Sequence, residues 1–386
     1  VKEIHFVGIT VWKAAFNLRF VFSHNLAVRD QVETLLLSIK TSNGGIGYGQ
    51  ALPRAYLTGE TLDSVLADIR GRWWPELAKL ALPADADFAT VVGALQPVFE
   101  QADALRKNAS YAAVDIAALD AFTTGQGIPA AFPPPADPAR RRDLPLVGVI
   151  PAGTPGRSAG IAGLLRLLGY RRFKVKIGRN AAMDERRLAA VRKAIGASNW
   201  LAVDANAAWE WDEAIERMRR LGRYDVALVE EPLAAASAAD FIRLERCSGI
   251  PVLADESLCT LADARSLLSR GTPSWWNLRL SKNGGFAGWR NFSRLAAERG
   301  ITIYGGVLVG ETSILAAAAR AAWSSDAAVS GEYGFPRIFL QGDPFRGGPG
   351  GFTGRMAPPR PATPGLGVRL RESALPPSAE LLWKEG

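Results

Sequence analysis

From residue 146 onward, short apolar runs alternate with amphipathic stretches. The runs fall at 146–150, 173–177, 201–204, 226–230, 251–254, 275–280, 301–304 and, more weakly, 327–331. The stretches between them, 158–168, 183–195, 210–221, 235–247, 261–269, 288–299 and 313–323, carry helical periodicity. Eight strand–helix units of about 25 residues predict a closed parallel (β/α)8 barrel rather than an open sheet. Upstream the pattern changes. Residues 32–41 read as an antiparallel strand, and Asn43, Gly44 and Gly45 supply hairpin turn chemistry. Residues 61–80, 87–104 and 111–123 read as helices. The expected organisation is an α+β capping domain over 1–128 and a barrel over 129–345, entered through a proline-rich stretch, 129–145. A Gly- and Pro-rich tail over 346–386 is expected to return to the cap, with a short strand at Gly367-Val-Arg-Leu.

A chain of 386 residues, 48% of them hydrophobic, can bury a large core. No apolar run reaches the roughly 20 residues that span a bilayer. Val1-Lys-Glu-Ile-His5 reads as the start of a strand with no export signal, and a cytoplasmic location is the default. Cys247 and Cys259 make neither a disulfide framework nor a metal ribbon. The net charge of +8 comes from short clusters such as Arg140-Arg141-Arg142, without interleaved stacking aromatics, so nucleic acid is not an expected partner. Trp275, Trp276 and Trp289 could cover a homo-oligomer interface, which is the expected assembly, as easily as a core.

The chemistry lies at the ends of the runs. Lys176, Asp204, Glu230, Asp255 and Arg279 recur at intervals of 28, 26, 25 and 24 residues, each closing or nearly closing an apolar run. Barrel active sites form where strands end at their C-terminal side. Three carboxylates delivered by successive strands are hard oxygen donors suited to Mg2+. Ion pairs with loop Lys or Arg are the alternative for any one of them. Lys174 and Lys176, two apart on one strand, enter the barrel on the same face. Two adjacent cations are expected to depress each other's pKa and make a lysine base usable.

The chain resembles the enolase superfamily, and within it the muconate-lactonizing (muconate cycloisomerase) subgroup. The resemblance is carried by Lys174-Val-Lys176, Val203-Asp204-Ala-Asn206, Glu230-Glu231-Pro232, Ala254-Asp255-Glu256-Ser257, Asn277-Leu-Arg279-Leu-Ser-Lys282-Asn-Gly-Gly285 and Gly310-Glu311-Thr312. Gly47-Tyr-Gly49, residues 53–61 and Pro364-Gly-Leu-Gly367 add to it. It implies a cap over the barrel mouth, one Mg2+ (or Mn2+), and abstraction of the proton next to a substrate carboxylate through an enediolate. By motif, Asp204, Glu230 and Asp255 would bind the metal, Lys176 would be the base and Lys174 its assistant. Asn206 and Glu256 would touch the ligands or the substrate. Cap segments 16–26 and 53–57 would form two closing loops, making His24, Arg54 and Tyr56 candidate specificity residues.

One position departs from the pattern. Where the subgroup normally offers a second lysine facing Lys176, this chain has Arg279, which is effectively always protonated and a poor base. Lys282, three residues on, should point to the other face of a regular strand, and only a bulge would bring it in. Glu311 is an alternative acid. The leading expectation is therefore single-base lyase or cycloisomerase chemistry of the muconate cycloisomerase or o-succinylbenzoate synthase type. The alternatives are a racemase or epimerase of N-acyl amino acids or dipeptides, and a non-catalytic paralogue that binds a carboxylate. A sugar-acid dehydratase is disfavoured because the only histidines, His5 and His24, both lie in the first domain.

Overall fold

The structure is a computed structural model that describes residues 3–24, 27–132, 143–178, 180–234, 240–324, 328–333, 336–350, 353–360 and 362–386. The cap begins with an antiparallel sheet of β1 (Glu3–His24), β2 (Ala27–Thr41) and β3 (Ile46–Ala51), with β4 (Ala81–Pro83) paired to the start of β1. Against it lies the helix Asn108–Gln126, buried along most of its length. Gly47 and Gly49 explain how closely sheet and helix approach. A Cβ on Gly49 would stand 2.0 Å from the Ala113 carbonyl oxygen, and one on Gly47 would stand 2.0 Å from the Ala121 nitrogen.

Three expectations for the cap are corrected. Residues 61–80 do not form one helix, because Leu62–Asp68 passes through a π turn, Ile69–Trp73, into Trp74–Ala78. Residues 87–104 divide into Phe88–Ala94 and Gln96–Ala104, the second starting just before Pro97, which has no N–H to continue a helical ladder. The expected closing loop at 16–26 is also not a loop where it is described. Its residues up to 24 continue β1, with Phe16, Asn17, Phe22, Ser23 and His24 paired to β2, while 25 and 26 lie outside the described residues.

The barrel strands follow: β5 (Leu144–Ile150), β6 (Arg172–Lys176), β7 (Trp200–Asp204), β8 (Leu228–Glu230), β9 (Val252–Ala254), β10 (Trp275–Leu278), β11 (Thr302–Gly305) and β12 (Ala328–Glu332). Neighbours pair in parallel, and β12 pairs back onto β5, closing the ring as expected. The run expected at 327–331 lies on β12, apart from 327, which is outside the described residues; 235–239 of an expected helix are outside them too, and that helix runs Phe241–Ser248. The period of two in each strand decides which side chains go where. Phe173, Val175, Leu201, Val203, Val229, Val252, Trp276 and Ile303 face outward and join the large core under the helices. Val147, Ala202, Leu228, Leu253 and Tyr304 form a separate inner layer, and the polar strand ends stand above it. Trp276 and Trp289 are core residues, so they are not available to an interface.

After the barrel come β13 (Phe345–Gly347), β14 (Arg355–Met356), β15 (Val368–Leu370) and β16 (Glu380–Glu385). β14 pairs with β5, β15 with β13, and β16 antiparallel with β1. Among the described residues no helix is long and apolar enough to cross a membrane.

Candidate active site

The strand register brings the expected residues to one level. Lys174 pairs with Ala202, Lys176 with Asp204, and Asp204 with Glu230, so each inward position has a neighbour at its own height. Asp204, Glu230 and Asp255 are fully buried at adjacent strand ends. Just beyond β7 and β8, Asn206 (φ 46°), Ala207 (φ 57°) and Glu231 (φ 35°) take left-handed backbone conformations that residues other than glycine rarely adopt. Such backbone strain tends to gather at functional sites. Here it turns the Asn206 side chain back, so that it accepts from Lys176 Nζ at 3.0 Å and donates to Glu256 at 3.2 Å.

The two lysines differ sharply. Lys174 is sealed in, its ammonium held by Glu230 and Glu332 and lying over the Tyr304 ring at 5.2 Å. Burial alone would lower its pKa, but Glu230 and Glu332 raise it well above the ordinary lysine value. The expected mutual depression therefore fails at Lys174, because the carboxylates around it outweigh its cationic neighbour. Lys176 stands one step higher, 2.8 Å from Asp204, with its side chain 12% exposed.

Arg279 faces the carboxylates. Its guanidinium bonds to Asp255 and lies 3.6 Å from Glu230. Burial lowers its pKa, but Asp255 and Glu256 more than offset this, so it stays charged. The expectation for Lys282 is overturned. β10 stops at Leu278, and a helical turn, Leu280–Asn283, replaces the expected end of the strand. Residues three apart on a helix share a face, so Lys282 returns over the site without a bulge. Its fully buried ammonium donates to Asp255 Oδ1 at 2.9 Å and to the carbonyls of Asp255 at 2.7 Å and Asn277 at 3.0 Å.

Glu311 follows β11, accepts from the Leu308 N–H at 2.8 Å, and is pushed up to about 8 by burial. Arg54 is 5% exposed and donates to the Pro53 and Val309 carbonyls, tying the cap to the loop after β11. Tyr56 is 41% exposed on the helical turn Ala55–Thr58. His24 ends β1, and its side chain lies outside the described residues. Sequence reasoning missed Glu332. It closes β12 in the way that Asp204 closes β7, but Ser330 and Gly331 interrupt the apolar run that would have flagged it. It also missed Asn277, which donates to Glu230 at 2.8 Å, although its place two before Arg279 puts both on one face.

The donor set fits a hard divalent cation in chemistry. Among the described residues, Asp204, Glu230, Asp255 and Glu332 form ion pairs with Lys174, Lys176, Arg279 and Lys282, while the buried Glu231 and Glu256 add two further carboxyl groups. That excess of negative charge is felt: burial and then neighbouring carboxylates push Glu256 up to about 7, and Glu231 goes up for the same reasons. As the side chains lie, each candidate ligand is turned to a cation. Among the described residues no three stand grouped as a metal site. A metal would take over the role of those ammonium and guanidinium partners.

Comparison with known proteins places this geometry. A family model described as "Enolase C-terminal domain-like" matches residues 159–374. Muconate cycloisomerase 1 of Pseudomonas putida is 30% identical over 305 residues, covering 76% of this chain and 78% of that protein. The D-Ala-D/L-Ala epimerase of Cytophaga hutchinsonii is 27% identical over 341 residues, covering 88% and 89%. The solved dipeptide epimerase of Enterococcus faecalis, complexed with Mg and L-Leu-L-Tyr, has the same fold, with a TM-score of 0.80 at 23% identity over 94% of this chain and 99% of that one. A closed barrel under an antiparallel cap, and a family match across more than half its length, show that this chain is an isomerase-type enzyme belonging to the enolase superfamily.

Proposed function

We propose that the enzyme uses Mg2+ and Lys176 to remove the proton next to a substrate carboxylate, and that it epimerises dipeptides or N-acyl amino acids. The contrast between the lysines carries the assignment of the base. Lys174 is locked between two carboxylates, whereas Lys176 reaches the barrel mouth beside Asp204 and Asn206. Asp204, Glu230 and Asp255 would hold the metal, which when bound supplies Lewis-acid stabilisation of negative charge on the substrate. Arg279 adds a fixed positive charge beside the same carboxylates and orients a carboxylate by its planar fork. Lys176 takes the proton from the α-carbon. Epimerisation needs a proton returned to the opposite face, which a guanidinium cannot give. Glu311, protonated near neutral pH and within electrostatic reach of Arg279, is the group assigned to that step. The epimerases among the relatives support this product.

Arg279 itself favours a second reading, cycloisomerisation, in which Lys176 works alone on one face, as the Pseudomonas putida relative would suggest. Proton NMR in D2O with Mg2+, on dipeptides, N-succinyl amino acids and muconate, separates the two. Deuterium entering the α-position with inversion, lost in Lys176→Ala and reduced to exchange without inversion in Glu311→Gln, is the expected result. Ring closure without inversion would replace epimerisation by the second reading, and exchange surviving in Lys176→Ala would remove Lys176 as the base.

A further inference from the structure

Arg187 stands out among the buried charges that this chemistry does not use. It lies on the helix Ala181–Ile195 and is 2% exposed. Its guanidinium donates to the Lys176 carbonyl at 2.6 Å, to the Pro151 carbonyl at 2.7 Å and to the Ser158 hydroxyl at 3.1 Å. It also pairs with Asp184 at 3.3 Å. Asp184 in turn accepts from the Gly178 N–H at 2.8 Å. One buried ion pair therefore grips the backbone on both sides of Ile177, where the chain leaves the strand that carries Lys176.

The strand ladder shows why that place needs a side chain. Toward β7 the pairing runs up to the site, Lys176 with Asp204, and the Ile177 N–H carries it on to the Asp204 carbonyl at 2.9 Å. β7 and β8 do the same, with Asp204 paired to Glu230 and the Ala205 N–H on the Glu230 carbonyl at 3.1 Å. Toward β5 the pairing stops one residue short, at Ile150 with Val175. Arg187 spans that gap, one nitrogen of its planar fork on the Lys176 carbonyl and the other on the Pro151 carbonyl. An ammonium is a single point of charge and has no such span.

Resting on the assignment of Lys176 as the base, we propose that Arg187, braced by Asp184, is a positioning residue: it completes the end of β6 and fixes the Lys176 backbone, so that the ammonium is held beside Asp204 and Asn206. It touches no reacting atom. Proton transfer depends steeply on where the base stands, and a displacement of ~1 Å can cost on the order of 100-fold in rate. The candidate metal ligands stand on β7, on β8 and just after β9, so loosening the end of β6 acts on the base rather than on the metal.

The test compares wild type with Arg187→Lys, which keeps a charge beside Asp184 but not the fork, and with Asp184→Asn as a second variant in case Arg187→Lys does not fold. Deuterium exchange into D-Ala-L-Ala is followed by proton NMR with saturating Mg2+, Mg2+ affinity by calorimetry, and amide exchange over residues 172–178 by mass spectrometry. In Arg187→Lys the expected kcat is roughly 10- to 100-fold lower, with KM and the Mg2+ Kd within about twofold of wild type. Amides over 172–178 exchange at least about tenfold faster while those over 200–204 keep their wild-type rate, a readout that needs no substrate. Asp184→Asn shows the same pattern at smaller size. A purely structural role would lower the melting temperature and leave kcat of the folded protein alone. Wild-type kcat in Arg187→Lys, a loss of kcat matched by an equal loss of Mg2+ affinity, or unchanged amide protection over 172–178 would overturn the proposal. Failure of the base assignment would show differently, as deuterium exchange that survives Lys176→Ala.

Discussion

Asp115 gives the sharpest test of how the cap helix supports the site. It lies in the buried helix Asn108–Gln126 and accepts from the Phe286 N–H at 2.6 Å, just after the turn that carries Arg279 and Lys282. The Tyr111 hydroxyl also donates to it, at 3.3 Å. Burial pushes its pKa up from 3.8 to about 7, with those hydrogen bonds only partly offsetting the cost of charge. The raised value means that the folded state favours the neutral carboxyl. Its stabilising effect is fully present below about pH 4, and it is lost progressively as pH rises toward the folded value near 7. Above that, the folded state ionises too and the loss levels off.

Each pKa unit corresponds to about 1.4 kcal/mol. Between about pH 5 and about pH 7 the wild type should therefore lose roughly 2 to 3 kcal/mol through Asp115 alone. Asp115→Asn is neutral throughout and keeps an oxygen for the Phe286 N–H. Urea unfolding of both proteins across that range isolates the term, because every other titrating group is shared. The stability of Asp115→Asn relative to wild type should rise by that amount and then flatten. A constant difference between the two proteins, or one that falls with pH, would refute the argument that Asp115 is held neutral.

Two further outcomes follow from the packing. Lys174→Met leaves Glu230 and Glu332 short of their buried cation and should cost about 3 to 5 kcal/mol in denaturant unfolding; Lys176→Ala, at a partly exposed position, should cost clearly less. Gly49→Ala drives a methyl group into the Ala113 carbonyl oxygen and should lower stability by about 3 kcal/mol or more, read as a reduced melting temperature.

The barrel was legible because eight period-two strands needed covering helices, and the chain writes that alternation plainly. The carboxylates were legible for the same reason: Asp204 and Glu230 close clean apolar runs. Lys282 was not, because a strand pattern extrapolated past Leu278 hides a helical turn whose stop is Gly284, at φ 85°. Glu332 was hidden by small polar neighbours. The state of Lys174 was unreadable in the sequence, since its charge depends on Glu230 and on Glu332, partners distant in sequence of which the barrel supplies the second only on closing. In the cap, 61–80 kept its helical composition but not its continuity, because a π turn changes phase without changing which residues are apolar.

Arg279 then decides more than a single proton step. A lysine at that place could both take and give a proton, whereas a guanidinium gives only charge and orientation. Beside it, the buried Lys282 ammonium donates to three oxygen acceptors, two on Asp255 and one on Asn277. The sixth strand and the turn after it therefore set both Arg279 and Lys282 against Asp255. Under the proposed function the proton for that side comes from a neighbouring element, and Glu311, in the loop after the seventh strand, is a buried acid with a pKa pushed up to about 8. Under the proposed function, epimerisation in this barrel would use the carboxylic acid of Glu311 on one face and Lys176 on the other, and cycloisomerisation would use Lys176 alone.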